Sequence, residues 1–402
     1  MAELVRTGPG VDTYGAILDL IRSQGVVSRT ELVARSGLTS PSITRIVRKL
    51  LEDGLVIETG TGDFTGGKRR TMLQLNSSAR HAVGVSIDEV DVTFLVADLT
   101  GQVLDRRVVK GAGSSMPERV VTRVVAELHA LLESEGLDES SLLGIGVSTS
   151  GIQDTREHGL RADRHAAEWQ RFPIAEVLSE STGCRVEIEN DATCAAIGEF
   201  WIERIPASQN FATAYMTSGF GLGFMMQGEV YRGASSNVGE IGHVTVDPAG
   251  PACVCGRQGC LQAVAGSIAV VHQALTTTNL GEVLSLRGSA RSLRRDFAKI
   301  AKAAVSGQPE AAQLIHRSAD ALASVLVSIT NVLDLDQIIL AGPGYGAAGQ
   351  IYADAAAAQL RTSTFAREVH TTRISLSTMG ADAAALGAAS LVLHSHLTPG
   401  AR

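Results

Sequence analysis

The sequence predicts an α/β protein in which a short segment of three helices and a β-hairpin precedes a larger body of alternating strands and helices. Its 402 residues exceed what one ordinary hydrophobic core organises, so two or three domains are expected. Glycine is abundant at 42 residues and proline scarce at 10, which suits tight turns between strands and helices. The pattern changes near residue 80, and we therefore expect one domain over 1–76 and a second over 77–402.

Composition and charge limit the possible classes of function. The chain is 45% hydrophobic and 19% charged, values typical of a folded globular protein. The first 76 residues carry ten Lys and Arg against eight Asp and Glu, whereas the rest holds 25 basic and 34 acidic residues. Only the first segment is therefore expected to contact a polyanion.

Three observations predict a cytoplasmic location. No stretch reaches the roughly 18 apolar residues of a membrane span. The N-terminal residues lack an apolar signal core. The five cysteines, three of them crowded between 253 and 260, do not form the pattern of a secreted disulfide framework.

Residues 12–75 are predicted to form three helices followed by a hairpin. Ser28 and Glu31 match a capping box at the start of the second helix. Ser40 is the predicted N-cap of the third helix, with Pro41 at its first position. The outer side of that helix is polar and basic, with Ser42, Thr44, Arg45, Arg48 and Lys49. This pattern is typical of a helix that enters the DNA major groove, with a three-helix protein-interaction module as the alternative.

The hairpin carries a second candidate DNA contact. Strands are predicted near 55–57 and 72–75, around a glycine-rich tip that ends in Lys68, Arg69 and Arg70. Three consecutive cations can contact phosphates or enter a narrow minor groove. In isolation such a triplet is more often a solvated loop, but its place beside the third helix favours the DNA contact. The first segment is therefore predicted to be a winged helix-turn-helix that binds a double-stranded operator.

A histidine and three cysteines in the body have the spacing of metal ligands. His243, Cys253, Cys255 and Cys260 offer one imidazole and three thiolates, a complete tetrahedral shell for Zn²⁺. Four protein ligands leave no open position, so one structural zinc ion per chain is predicted. A redox pair or incidental cysteines are the alternatives.

Two further motifs are weaker on their own. Asn190 and Asp191 follow an apolar strand, where a carboxylate can accept the proton of a sugar hydroxyl that attacks ATP and an amide can orient the sugar. The same dipeptide also commonly forms a turn or a helix cap. The glycine-rich segment 217–223 can cradle phosphate, although such a turn also joins the strands of a hairpin.

Together these motifs resemble the ROK family, which comprises repressors, open reading frames and sugar kinases. The run from Glu240 to Cys260, placed after Asn190-Asp191 and the glycine turn, is similar to the family signature. The resemblance implies a two-lobed, actin-like ATPase fold. Lobe 1 is expected at about 77–190 plus the C-terminal helix, and lobe 2 at about 191–380.

The resemblance also implies roles for individual residues. Asp191 stands at the position of the catalytic base, and 331–344 resembles the adenosine-side segment. His243 is implied both as a zinc ligand and as a sugar contact. The implied effector contacts are Asn190, Asp191, Glu240, His243 and Gln262.

Several departures from the family pattern concern the kinase function. In the phosphate loop, Ser86 replaces an aspartate and Asp88 replaces a flexible glycine, so like charges would face the ATP phosphates. Thr217 stands at a usual glycine, Gln262 at a usual glutamate and His165 at an expected asparagine; Ser150 replaces a proline. Kinase activity is therefore expected to be lost, which leaves Asp191 as a vestigial base.

The sequence thus predicts a DNA-binding transcriptional regulator, more specifically a repressor, that responds to a sugar or sugar-derived effector and is not an enzyme. An active ATP-dependent sugar kinase with a DNA-binding domain is the alternative, and an effector-independent regulator is a third hypothesis. The expected partner is a palindromic DNA operator, read by a homodimer or homotetramer associated with the bacterial nucleoid.

Overall fold

The computed structural model describes most of the chain. The described residues are 13–61, 71–113, 115–136, 141–154, 159–161, 169 and 172–397. The cations Lys68, Arg69 and Arg70 of the hairpin tip, and His165, lie outside them. Within the described ranges, no helix has both the length and the apolar character needed to cross a membrane.

The first described elements form a small unit of three helices and one sheet. They are α1 (Thr13–Gln24), β1 (Val26–Ser28), α2 (Arg29–Ser36), α3 (Ser40–Glu52), β2 (Val56–Thr61) and β3 (Thr71–Leu75). The strands are antiparallel in the order β1-β3-β2. The helices and the hairpin were predicted, but β1 was missed because a three-residue strand leaves no alternating pattern to detect.

Local hydrogen bonds fix where α2 and α3 begin. The Ser28 amide donates to Glu31 Oε2 at 2.7 Å, and the Glu31 amide donates to Ser28 Oγ at 3.3 Å, so the predicted capping box is present. The N-cap of α3 is Thr39, whose Oγ1 accepts the amide of Ser42. The prediction of Ser40 as the N-cap is therefore wrong by one residue. Adjacent hydroxyl residues look alike in sequence, and only the extended backbone of Thr39 distinguishes them.

The first half of the body is built on a five-stranded mixed sheet. Its elements are β4 (His81–Ile87), β5 (Asp91–Asp98), β6 (Val103–Lys110), α4 (Pro117–Glu135), β7 (Leu142–Thr149), β8 (Ile152–Asp154), β9 (Gly159–Arg161), α5 (Ile174–Thr182) and β10 (Val186–Asn190). The strand order is β10-β7-β4-β5-β6. Strands β4, β5 and β6 are antiparallel neighbours, whereas β7 runs parallel to both β4 and β10. Apolar residues of α4 and α5 cover one face of this sheet.

The second half contains another five-stranded sheet. Its strands are β11 (Phe211–Met216), β12 (Phe220–Met226), β13 (Glu229–Val230), β14 (Gln337–Ala341) and β15 (Arg373–Leu376), in the order β13-β12-β11-β14-β15. Its helices are α6 (Asp191–Ile202), α7 (Leu261–Ala265), α8 (Ser267–Thr276), α9 (Leu280–Val283), α10 (Leu293–Val305), α11 (Pro309–Leu333), α12 (Gly349–Ser363) and α13 (Ala383–Leu397). The two sheets give the two-lobed α/β architecture that the sequence predicted.

Helices α6 and α13 join the two lobes. Helix α13 packs on β4 and β7, α6 packs on β11 and β12, and the two helices pack on each other. Their close approach requires glycine, because a Cβ added to Gly387 would lie 1.7 Å from the carbonyl oxygen of Cys194. Helix α6 is buried from Ala192 to Trp201. It begins at the carboxyl end of β10, the edge of a parallel strand pair where ligands commonly bind.

Candidate ligand cleft and metal centre

The histidine and the three cysteines singled out in the sequence lie together. The ligand atoms of His243, Cys253, Cys255 and Cys260 all lie within 4.8 Å of one another. The Sγ of Cys253 is 3.5 Å from Nδ1 of His243, and the Sγ of Cys255 is 3.6 Å from that of Cys260. These four side chains could therefore hold one metal ion.

Two glycines with left-handed backbone allow this loop to fold. Gly256 has φ of 86° and Gly259 has φ of 66°. A Cβ on Gly259 would lie 1.4 Å from the carbonyl oxygen of Asp247, so no larger residue fits there. A hydrogen bond from the backbone of Arg257 lowers the pKa of the Cys255 thiol to about 6. This favours the thiolate, the form that binds metal ions.

A cleft lies beside this cluster. It is lined by all five residues predicted to contact an effector: Asn190, Asp191, Glu240, His243 and Gln262. His243 belongs to both the cleft and the cluster. The lining also includes Tyr215, Val238 and Val254, which sequence reasoning missed. Tyr215 lies in an apolar strand and Val254 lies between two cysteines, so neither carried a pattern that indicates a ligand.

Asn190 and Asp191 start α6 at the edge of the cleft. The Oδ1 of Asn190 accepts the backbone N–H groups of Ala192 at 2.9 Å and Thr193 at 3.3 Å. Asn190 is therefore a helix N-cap, which was the alternative to a sugar contact that the sequence left open. The cap uses only the carbonyl oxygen, so it does not consume the two donors on the side-chain nitrogen.

The carboxyl group of Asp191 titrates near neutral pH. Burial raises its pKa to about 7, and the negative charges of Asp88 and Glu240 act in the same direction. A hydrogen bond from the amide of Ala192, at 2.9 Å, opposes this shift. The group therefore exists both as a carboxylate that accepts hydrogen bonds and as an acid that also donates one.

The turn between β4 and β5, where the sequence departs from the kinase phosphate loop, is held by an arginine from the other lobe. The Nη2 of Arg294, on α10, lies 2.9 Å from Oδ1 of Asp88, and its Nη1 lies 2.7 Å from Oδ2 of Asp91. All three side chains are partly exposed. The sequence predicted that Asp88 would bring negative charge close to the ATP phosphates; its partner Arg294 could not be foreseen from the sequence.

The outer side of α3 carries the residues predicted to contact DNA. Thr44, Arg45, Arg48 and Lys49 are exposed and Ser42 is half-buried. The Nζ of Lys49 donates to Oδ1 of Asp53 at 2.5 Å, and this bond raises the pKa of Lys49. No carboxylate among the described residues pairs with the two arginines. Within the described part of the winged head (residues 1–76), no carboxylate therefore neutralises the charges of Arg45 and Arg48.

Known protein families match both parts of the chain. A model of the ROK family matches residues 82–395, and a model of the winged helix-turn-helix DNA-binding domain matches residues 15–57. The first match covers well over half of the chain. The chain belongs to the ROK family.

This ROK protein is similar to repressors along most of its length. It is 23% identical to a putative xylose repressor of Caldicellulosiruptor sp., over 94% of each chain. It is 27% identical to the N-acetylglucosamine repressor of Escherichia coli, over 81% of this chain and 79% of the relative. The predicted combination of a winged head and a ROK body is thereby confirmed.

Solved structures share its fold. A ROK family transcriptional regulator, a homologue of the E. coli MLC protein, gives a TM-score of 0.75 at 22% identity and covers 96% of each chain. A ROK family glucokinase from Streptomyces griseus, in complex with glucose and AMPPNP, gives a TM-score of 0.65 at 23% identity, over 77% of this chain and 98% of the other. The body of this ROK protein therefore has the fold found in both regulators and kinases.

Proposed function

We propose that this ROK protein is a transcriptional repressor whose affinity for its DNA operator changes when a sugar or sugar-derived molecule binds the cleft. One observation carries the proposal: a winged helix with outward-facing cations and a polar cleft occur in one chain. Relatives named as xylose and N-acetylglucosamine repressors support it. Because the proposed target is an operator on the chromosome, the proposed location is the bacterial cytoplasm, at the nucleoid.

The proposed DNA-binding domain is 1–76. Arg45 and Arg48 extend from α3 toward base edges and phosphates, with Ser42, Thr44 and Lys49 on the same side. The tip cations Lys68, Arg69 and Arg70 contact the backbone or the minor groove beside it. Two such heads, in a homodimer or homotetramer assembled through 77–402, read a palindrome with half-sites about one DNA turn apart.

The proposed effector site is the cleft. An uncharged sugar presents hydroxyl groups that both donate and accept hydrogen bonds. Asp191 and Glu240 accept from such hydroxyls, the side-chain amide of Asn190 donates, and Gln262 does both. His243 orients the ligand from the side of the metal cluster.

The proposed ion is one structural Zn²⁺ per chain. With Zn–S bonds of about 2.3 Å and Zn–N bonds of about 2.0 Å, tetrahedral geometry requires ligand atoms about 3.5–3.8 Å apart. Two of the six pairs fit this requirement, at 3.5 Å from Cys253 Sγ to His243 Nδ1 and 3.6 Å from Cys255 Sγ to Cys260 Sγ, and all four ligand atoms lie within 4.8 Å of one another. The ion would fix the loop that brings His243 into the cleft.

A second candidate function, an active sugar kinase, is favoured by Asp191 and by the fold shared with a glucokinase. We propose that this activity has been lost. Phosphoryl transfer depends on a site that positions ATP and its metal ion and neutralises charge. In the β4–β5 turn, Asp88 and Asp91 instead bind Arg294. Asp191 then serves as a hydrogen-bond acceptor for the effector.

Operator binding by the full-length protein tests the proposal. An operator selected from random DNA is titrated by fluorescence anisotropy with and without D-xylose and N-acetylglucosamine. Replacing Arg45 or Arg48 by Ala is expected to cost about 1–3 kcal/mol of binding free energy, with relaxed sequence preference where a base contact is lost. Arg35→Ala, an exposed arginine on α2 outside the proposed surface, is the control. Unchanged affinity after Arg45, Arg48 and the tip cations are all replaced would overturn the proposal.

A further inference from the structure

A buried arginine of the winged head is bound to the body. Arg22, near the end of α1, is only 3% exposed. Its Nη1 donates to the carbonyl oxygens of Phe200 at 2.6 Å and Trp201 at 3.2 Å, and its Nη2 donates to that of Ile205 at 3.1 Å. Its Nε donates to Asp19 of the same helix at 2.8 Å. One guanidinium group is thus fixed between the two parts of the chain.

The carbonyl groups of Phe200 and Trp201 lie in the last turn of α6, and that of Ile205 follows three residues after the helix. The last carbonyls of a helix lack partners within the helix and carry partial negative charge, so a cation there is stabilising. The Cζ of Arg22 also lies 4.1 Å from the centroid of the Phe200 ring and 5.2 Å from that of Trp201. A planar group with several donors satisfies all of these contacts, and a lysine ammonium does not.

The opposite end of α6 forms part of the ligand cleft. Asn190 caps the helix and Asp191 is its first residue, and both line the cleft. Twelve residues make the helix about 18 Å long. One buried, continuous helix therefore touches the proposed effector at its beginning and the winged head at its end.

Apolar packing surrounds the arginine contact. Ile17 and Ile21 of α1 belong to the same buried cluster as Trp201 of α6 and Leu386 of α13. The ring of His394 packs edge-on against Phe200 and Trp201. Burial lowers the pKa of His394 to about 4, so this ring is neutral near pH 7. The end of α6 therefore contacts α1 directly through buried groups.

We propose that α6 and Arg22 couple the cleft to the winged head, an inference that rests on the proposed function of the cleft as an effector site. A sugar that binds Asn190 and Asp191 shifts or stiffens the start of α6. The Arg22 contact then changes the position or stability of α1, and with it the operator affinity of α3. Arg22 is in this view a positioning residue that contacts neither ligand.

The variant Arg22→Lys tests the coupling in the full-length, metal-loaded protein. It retains the charge but loses the planar array of donors. Operator affinity is measured by anisotropy with and without saturating D-xylose or N-acetylglucosamine, and sugar affinity by calorimetry. Coupling between two sites typically changes affinity about 5- to 150-fold. We expect the ratio of operator affinity without sugar to operator affinity with sugar to fall to near one in Arg22→Lys. Sugar affinity is expected to stay within about twofold of wild type. Arg35→Lys, the same change at an exposed position of the head, retains the wild-type ratio.

The possible results separate the inference from the function on which it rests. If wild type responds to a sugar and Arg22→Lys responds equally, the inference is overturned and the proposed function stands. If wild type binds the operator but responds to neither sugar, both fail for these effectors. If sugar changes operator affinity in wild type but not in Arg22→Lys, the result supports the coupling.

A second variant, on the α6 side of the contact, tests the coupling independently if Arg22→Lys does not fold. Phe200→Leu removes the ring beneath the guanidinium but leaves the backbone carbonyl that Arg22 binds. We expect an intermediate loss of the sugar-dependent ratio. A change in Trp201 fluorescence on sugar binding, measured in a Trp169→Phe background, gives a second readout at the contact itself. No sugar-dependent change at Trp201, together with a wild-type ratio in Phe200→Leu, would overturn the coupling.

Discussion

The ligand cleft and the β4–β5 turn near it differ in what they offer a ligand. In the cleft, Asn190, Asp191 and Glu240 present donors and acceptors next to a cluster that could hold a metal ion. At the turn, close enough to Asp191 for the charge of Asp88 to raise the pKa of Asp191, the carboxylates of Asp88 and Asp91 are bound by Arg294 from the opposite lobe. The cleft therefore offers polar groups to a ligand, whereas the turn pairs its charges within the protein.

This difference explains how a kinase-like fold can serve as a sensor. A few fixed hydrogen-bonding groups are enough to recognise a sugar, and in the proposed function the residues at the start of α6, which line the cleft, supply them. Phosphoryl transfer requires in addition a place for a polyanion and its metal ion. A protein that keeps the sugar-binding groups but not the place for ATP can bind a sugar without consuming ATP. Substitutions in the cleft and in the β4–β5 turn, made separately, test this difference.

The largest effect is expected from the metal cluster. Cys255→Ser removes a ligand, and loss of even an outer-shell partner commonly costs about 10- to 100-fold in metal affinity. Without the ion, the loop no longer holds His243 and Glu240 in place. Two hydrogen bonds of about 1.5 kcal/mol each correspond to roughly a hundredfold loss of sugar affinity. Elemental analysis, calorimetry and thermal unfolding measure the three consequences, including a lower Tm.

Cys184→Ser is the matched control, since Cys184 lies outside the cluster. It is expected to retain the metal ion and the sugar affinity. A metal-free wild-type protein with full stability and full sugar affinity would show that the cluster has another role.

A smaller effect is expected from the carboxyl group of Asp191. Hydrogen bonds to a charged group contribute about 1.5–3 kcal/mol, so Asp191→Asn is expected to weaken sugar binding about 10- to 100-fold. The pKa of Asp191 is raised to about 7, so wild-type sugar affinity should fall as the pH is lowered through 7. Calorimetry between pH 5.5 and about 8.5 measures both effects. Asp354→Asn, an exposed change on α12, is the control, and a pH profile unchanged in Asp191→Asn would contradict the assignment.

The same raised pKa has a consequence for stability. The folded protein holds the Asp191 proton more tightly than the unfolded chain does, so this group favours folding at low pH. That contribution is lost as the pH rises from about 4 through about 7. Asp191→Asn is therefore expected to unfold at a higher temperature than wild type at pH 8, but not at pH 4.

Much of the site could be predicted because its residues are close in sequence or carry a distinctive pattern. The four residues of the His/Cys cluster fall within 18 positions of one another, and Asn190-Asp191 marks a strand-to-helix junction. The capping box joins Ser28 and Glu31, which are only three positions apart, so it could be predicted for the same reason. Short-range spacing dictates geometry in such cases, since a turn or a helix start allows few arrangements of its neighbours.

The contacts that the sequence did not reveal join distant segments. Arg294 reaches Asp88 across 206 positions, and Arg22 reaches Phe200 across 178. Each arginine is an ordinary helical cation in sequence, and only the packing of two lobes and a head decides its partner. Tyr215 was hidden for a related reason, because a residue in an apolar strand is expected to belong to the core. Single-sequence patterns carry no information about which surfaces meet.

The smallest effect is expected from Arg294. Arg294→Met breaks the pairs with Asp88 and Asp91, and because all three side chains are partly exposed, the free energy of unfolding should fall by only about 0–1 kcal/mol. The control is Arg295→Met, the exposed neighbour on the same helix.

ATP binding should not appear in Arg294→Met, because removing the cation leaves two uncompensated carboxylates facing any triphosphate. Sugar affinity should stay within about twofold, because Arg294 is not among the residues that line the cleft. Calorimetry with ATP and with sugars, and an ADP-release assay, measure these outcomes. If Arg294→Met gained ATP binding and sugar phosphorylation that Asp191→Ala abolished, the β4–β5 turn would be a masked kinase site rather than a lost one, and the contrast between the cleft and the turn would be one of regulation.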